Sequence, residues 1–313
     1  MLNYKTIILL ILVIPFYGCK DKVESKDSLG FFDISKNDDK IIFSYNIDGT
    51  GSSIYEMNID GSGVKPIIMT TKNKSYLFPK YSPNNDKILF LEYDKRDKSK
   101  ISICLSDLNG KNLQHLTQGG EMIIRAIFSK YTNEIIYSKA NTYGKSSPIG
   151  KEQAKGMDLY TLEISTGMTQ KITDLNSYGI FHIFEIDSLN ILTHITGPTG
   201  GICLINKNSP KSYQRIVPKN NPRKDSSFYY TSIYSEKYDL MIFDSPYEIY
   251  TMDMQNKIAN SLYYSNNAHI RLIRMFNTKP TLLFLIKGEL AISSINLDGT
   301  GLRKIPINIS KKN

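Results

Sequence analysis

The sequence predicts an all-β chain in which one four-stranded antiparallel unit is repeated six times. Three observations predict it. An apolar strand recurs as KIIF from Lys40, KILF from Lys87 and EIIY from Glu134, at intervals of 47 residues, with weaker copies NILT from Asn190, DLMIF from Asp239 and TLLF from Thr281. A later strand recurs in step with it, as IYEMNIDG from Ile54, ICLSDLNG from Ile103, LYTLEISTG from Leu159, ICLINKN from Ile202, IYTMDMQN from Ile249 and AISSINLDG from Ala291. A short strand then closes each unit (KPIIM, QHLT, QKIT, QRIV, NSLYY, RKIPI). Six copies over residues 29–313 give about 47 residues each, and four antiparallel strands at that period are the signature of a propeller blade.

Each strand has its own physical reading. The third strands alternate apolar and polar residues, as strands with one better-buried face do. The second strands are apolar throughout, which suits cover on both faces. One unit cannot bury both of its faces, so neighbouring units must cover them, and a closed ring leaves only short edges. The expected blades are residues 29–75, 76–120, 121–176, 177–224, 225–267 and 268–313.

The first 18 residues stand outside this pattern. Lys5 precedes a ten-residue run, Ile7 to Phe16, which is apolar but for Pro15 and short for a membrane span. The run ends at Gly18-Cys19, which resembles the bacterial lipobox. That resemblance implies a signal peptide over 1–18, lipidation of Cys19 and anchoring in the cell envelope of a double-membraned bacterium. Residues 19–28 are charged and lack aromatics, so they read as a flexible tether.

The second unit carries the turn Tyr81-Ser82-Pro83-Asn84, followed by Asn85-Asp86-Lys87. Asp60-Gly61, Asn109-Gly110 and Asp298-Gly299 mark the later turn, and Leu116-Thr117 and Ile172-Thr173 mark the ending. In these motifs the chain resembles the TolB-type propellers, the WD-like repeats of TolB and of prolyl oligopeptidase propellers. The resemblance implies a six-bladed β-propeller that binds an envelope protein or peptide. The chain departs from TolB in its lipobox and in having no room for a separate N-terminal domain.

The third unit holds the largest insertion, NTYGKSSPIGKEQAK over 141–155, whose Gly, Pro, Ser and Lys predict a loop. Propeller topology places it on one rim with DKRDKSK (94–100) and PKNNPRKDS (218–226). Arg96, Tyr143, Lys145, Lys151 and Arg223 are therefore the candidate partner-binding residues. Aligning first strands by the KIIF column gives Phe31, Phe78, Arg125, Phe181, Tyr230 and Leu272 toward the central channel. Two residues on come Asp33, Lys80, Ile127, Ile183, Ser232 and Arg274. Phe78, Lys80, Arg125, Phe181, Tyr230 and Arg274 are the candidate ligand-binding residues of the channel mouth.

Chemistry is sparse elsewhere. No Gly-x-Ser-x-Gly elbow occurs, and His115, His182, His194 and His269 show no metal-ligand spacing. Neither a catalytic residue, a metal nor a cofactor is expected. The DGTG and DGSG segments lack the carboxylates of a calcium loop and read as hairpin turns. Cys104 and Cys203 occupy equivalent strands two blades apart, beyond disulfide reach, and read as buried apolar residues. The net charge of +9 comes from scattered Lys, without a nucleic-acid motif. The expected protein is a monomeric, non-enzymatic, lipid-anchored binding scaffold. The alternative is a glycan-binding or carbohydrate-active propeller, which clustered His, Tyr and acidic residues on the channel face would favour.

Overall fold

The computed structural model describes residues 27–47, 50–97, 99–145, 152–197, 200–225 and 228–309. The leader, Cys19, the tether up to residue 26 and Lys151 lie outside the described residues. The chain forms six four-stranded antiparallel sheets, each made of four strands consecutive in sequence. The innermost strands are Ser28–Ile34, Lys74–Tyr81, Met122–Phe128, Gly179–Glu185, Ser232–Ser235 and Ile270–Met275. Since each sheet is sequential, blades 1 and 6 close the ring without sharing a strand.

The core lies between blades. It consists of six apolar clusters, and each straddles one pair of neighbouring blades. The second strand of blade 1 (Lys40–Ile47) shows why its sequence is apolar throughout. Ile41, Phe43 and Tyr45 pack toward blade 6, while Ile42 packs toward blade 2. Alternate side chains of one strand thus serve different interfaces. Blade 6 repeats the arrangement: Leu283 and Leu285 face blade 1, and Leu282 and Phe284 face blade 5.

Asp-Gly pairs form turns. Asp60 Oδ1 accepts from the Ser62 N–H at 2.9 Å and Asp298 Oδ1 from the Thr300 N–H at 2.9 Å, with Gly61 and Gly299 at φ 90° and 83°. That conformation is open to glycine at no steric cost.

In its described residues, 141–145 and 152–155, the blade 3 insertion is strand and not the irregular loop its composition suggests. The second and third strands of blade 3, Glu134–Lys145 and Glu152–Glu163, are 12 residues each, and their ladder continues through Thr142↔Lys155 and Tyr143↔Ala154 to Lys145↔Glu152. Continuing the ladder pairs backbone groups that a loop would leave to water, and Thr142 and Tyr143 favour strand geometry. The insertion is therefore a β-hairpin arm.

Candidate functional site

The inner strands share one irregularity. Five of the six inner pairings shift register near the top of the strand, between Leu29 and Phe32, Leu77 and Lys80, Ile123 and Arg125, Ile180 and His182, and Arg271 and Ile273. Bulges of this kind re-aim side chains. Here they sit beside the axis, and Phe78 and Leu272 take positive φ of 58° and 54° at them. Gly30 lies at the bulge of blade 1, where an added Cβ would collide with Ser44 Oγ. The Phe31 N–H is donated to that same Ser44 oxygen.

Strand register corrects the channel columns in two blades. Asp33 pairs with Ile42, Lys80 with Leu89, Ile127 with Ile136, Phe184 with Leu192, Ile233 with Ile242 and Arg274 with Leu283. The upper ring is therefore Phe31, Phe78, Arg125, His182, Thr231 and Leu272. In blade 4 the first hairpin turn is one residue shorter than in blade 1, which puts His182 where Phe181 was expected. In blade 5 the repeat anchors on Leu240, not Asp239, which puts Thr231 where Tyr230 was expected. Tyr230 instead packs edge-on against His194, with centroids 5.2 Å apart. Phe181 still reaches the channel wall, but its ring lies over Gly179 and it is partly exposed.

The axis holds a chamber of about 90 Å³ that adjoins a wider funnel of about 640 Å³ on the face of the first hairpin turns. Lys80, His182 and Arg274 line both. Arg125 lies over two rings, with its guanidinium carbon 3.9 Å from the Phe78 centroid and 4.7 Å from that of Phe31. The two rings lie 3.8 Å apart. Such stacking favours guanidinium over ammonium. Below it, Asp33 joins three blades: it accepts from Lys80 Nζ at 2.8 Å, Arg274 Nε at 3.1 Å and the Tyr81 N–H at 3.2 Å. Burial, with Arg274 alongside, pulls Lys80 down to about 8, and burial lowers Arg125 to about 10. The imidazole of His182 is 2.6 Å from the Ser232 carbonyl, so Nε2 carries the proton and donates it. Burial holds this histidine well below its usual pKa, so it is neutral. No sequence signal marked it, because its blade is a degenerate copy of the repeat.

The described rim residues each have their own surroundings. Arg96 folds back onto Asp94 with a bidentate contact, Nη2 to Oδ2 at 2.9 Å and Nε to Oδ1 at 3.1 Å. The Arg223 N–H donates to Tyr229 Oη at 3.2 Å. Tyr143 stands exposed on the arm, and Lys145 ends the arm's first strand. At the arm's foot lies a groove of about 780 Å³, lined by Asn141, Thr142, Met157, Tyr178, Phe181 and Thr196 among others. Tyr178 is 74% exposed there.

Cys104 and Cys203 are buried and unpaired. Cys104 has company: its thiol, a Glu92 oxygen and a His115 nitrogen lie within 4.8 Å of one another. Cys104 and His115 are cross-strand partners, a contact that linear spacing does not reveal. Lys74 Nζ occupies the same carboxylate at 2.9 Å, so a metal there would have to displace it.

Several solved structures share this architecture. TolB from Acinetobacter baumannii superposes with a TM-score of 0.63 at 15% identity, over 85% of this chain and 63% of that one. The chain is a six-bladed β-propeller whose fold is similar to that of TolB. The propeller spans less than two thirds of that TolB chain. The tricorn protease gives a TM-score of 0.65 at 15% identity, covering 91% of this chain and 27% of that one. An oligogalacturonate lyase from Vibrio parahaemolyticus gives 0.56 at 11% identity, covering 88% and 76%. Neither a protein-family model nor a curated protein sequence matches the chain. At these identities the likeness establishes the fold, which hosts both enzymes and non-enzymes.

Proposed function

We propose that the protein is a non-enzymatic cell-envelope lipoprotein, anchored through Cys19, that presents its propeller as a rigid platform to a protein or peptide partner. The observation that carries the reading is the arm of blade 3. Its 12-residue strands outrun the second and third strands of the other blades, which are 5 to 8 residues long. A partly apolar groove with exposed Tyr178 and Phe181 lies at its foot. Exposed aromatics beside a rigid projection are the raw material of a contact hot spot. Two of the funnel's carboxylates already have cation partners, Asp33 with Lys80 and Arg274 and Glu185 with Lys207, an arrangement unlike the two free acid–base carboxylates of a glycosidase.

Two experiments test the proposal. Photo-crosslinking from position 143 in intact cells should give a discrete adduct that position 189, on the opposite face, does not give. Equal adducts from both positions, or none from 143, would reject the arm face. Labelling with a radioactive fatty acid should mark the wild-type chain and not Cys19→Ser; an unlabelled wild type would remove the anchor.

A further inference from the structure

We propose that the axial chamber is a binding site for an oxyanion, the carboxylate or phosphate group of a ligand whose remainder lies in the funnel. Phe181 borders both this chamber and the groove at the arm's foot, yet the chamber's cationic lining involves no residue of the arm.

Charge is the first argument. Lys80, Arg125, Arg271 and Arg274 all line the chamber, and among the described residues no carboxylate does so. Asp33, in the adjoining funnel, is shared by Lys80 and Arg274, while Arg271 is exposed and also borders a second pocket that holds Asp27 and Glu289. Lys80 and Arg274 are each only 16% exposed at the side chain. A fold gains nothing from concentrating cations with one anion between them, because removing charge from water is unfavourable unless it is paired. An arriving oxyanion supplies the missing countercharge.

Construction is the second argument. Arg125 is packed over Phe31 and Phe78, and its Nη1 donates to the Ile124 carbonyl at 2.7 Å. A guanidinium immobilised this way loses little entropy on binding an oxyanion through its remaining N–H groups. The bulges in the inner strands are what bring these side chains to the axis. Thr231 and neutral His182 add polar groups to the same wall without adding negative charge.

Size is the third. About 90 Å³ holds roughly three waters, at about 30 Å³ each in the liquid, which is room for a carboxylate or phosphate group but not for a sugar ring. The adjoining funnel of about 640 Å³ is of the size that takes a small ligand or a peptide end. Its lining adds Lys36, Lys130 and Lys237 against Glu185 and Glu236, and Glu185 is already paired with Lys207, so the funnel keeps a positive balance.

The test is calorimetric titration of the full-length protein in detergent at constant ionic strength. The probes are sodium phosphate, sodium acetate, and a short peptide with a free C-terminal carboxylate beside its C-terminal amide. Saturable binding with one site per chain is expected for at least one oxyanion. Peptide acid binding without amide binding identifies a carboxylate source, and phosphate binding alone identifies a phosphate source. Arg125→Met, which keeps the stacked volume, should weaken binding at least tenfold. Arg271→Gln is the second variant should the first not fold, with a similar direction of effect. Lys304→Gln, on the outer strand of blade 6, should change nothing. No saturable oxyanion binding by the folded wild type, or equal weakening by all three variants, overturns the proposal.

Discussion

Single residues hold several of this molecule's measurable properties. Asp244 is buried, accepts the Thr231 N–H at 2.6 Å, and is pushed up by burial to about 7. A carboxyl whose folded pKa is raised adds stability that is fully present below its unfolded pKa, near 4, and is lost as pH rises through 7. By linkage the loss is up to roughly 4 kcal/mol. Asp244→Asn keeps an oxygen for the Thr231 N–H and removes the titration. Urea unfolding should therefore show the variant gaining on the wild type between pH 4.5 and 8; parallel pH profiles would contradict this. Lys80 has the opposite sense. With its folded pKa near 8, set by burial and Arg274 against Asp33, it is charged below pH 8. Oxyanion affinity should fall as pH rises from 7 to 9, and Lys80→Gln should flatten that slope. In the ligand-free protein the same lysine opposes folding below pH 8, and that cost is relieved as pH climbs toward 10.5.

At the scale of elements, the ring is fastened where its ends meet. Asp38, in the first turn of blade 1, accepts from the Asn277 N–H at 2.8 Å, the Thr278 N–H at 2.8 Å, Asn277 Nδ2 at 2.9 Å and Thr278 Oγ1 at 2.6 Å, all on blade 6. Hydrogen bonds to a charged acceptor contribute about 1.5–3 kcal/mol each in favourable cases and are not additive. Asp38→Ala should lower stability by about 2–4 kcal/mol in chemical denaturation. A loss below about 0.5 kcal/mol would mean the interface is held by its apolar cluster alone. The arm should behave differently. Ala140 and Met157 belong to the blade 3–blade 4 core, whereas Tyr143 is exposed. Replacing 142–155 by a two-residue turn should leave the melting temperature within a few degrees of wild type.

Over the whole molecule, stability is a property of the closed ring. Every apolar cluster needs two blades, so no blade has a core of its own. Removing residues 268–313 would expose the faces of blades 5 and 1 together, including Ile242, Ile249, Phe43 and Tyr55. The truncated chain should lose cooperative unfolding in calorimetry and bind a hydrophobic dye. A sharp transition close to that of the full chain would show that five blades suffice. Phe284, buried in the blade 5–blade 6 cluster, offers the point test: Phe284→Ala should cost about 3–5 kcal/mol.

The sequence by itself determined the all-β class, the six repeats and the order of strands in each blade. These follow from local alternation and turn chemistry, which are written in neighbouring residues. KIIF, KILF and EIIY lie on both-faces-covered strands because every second side chain belongs to a different interface. The same reasoning placed Phe31, Phe78, Arg125 and Arg274 on the channel wall, since the blades that carry them keep the spacing of the repeat. Only the tertiary structure decided the rest. One residue fewer in a hairpin turn moved His182 into the ring in place of Phe181, and a one-residue ambiguity in blade 5 moved Tyr230 out. Composition suggested a loop at 141–155, yet in its described residues, 141–145 and 152–155, backbone pairing continues the ladder. The meeting of Lys80 and Arg274 on Asp33, beside a chamber also lined by Arg125 and Arg271, was decided by ring closure, because Asp33 and Arg274 lie 241 positions apart in the chain. Local pattern fixes which face a side chain takes; only closure of the ring fixes which other side chains it meets.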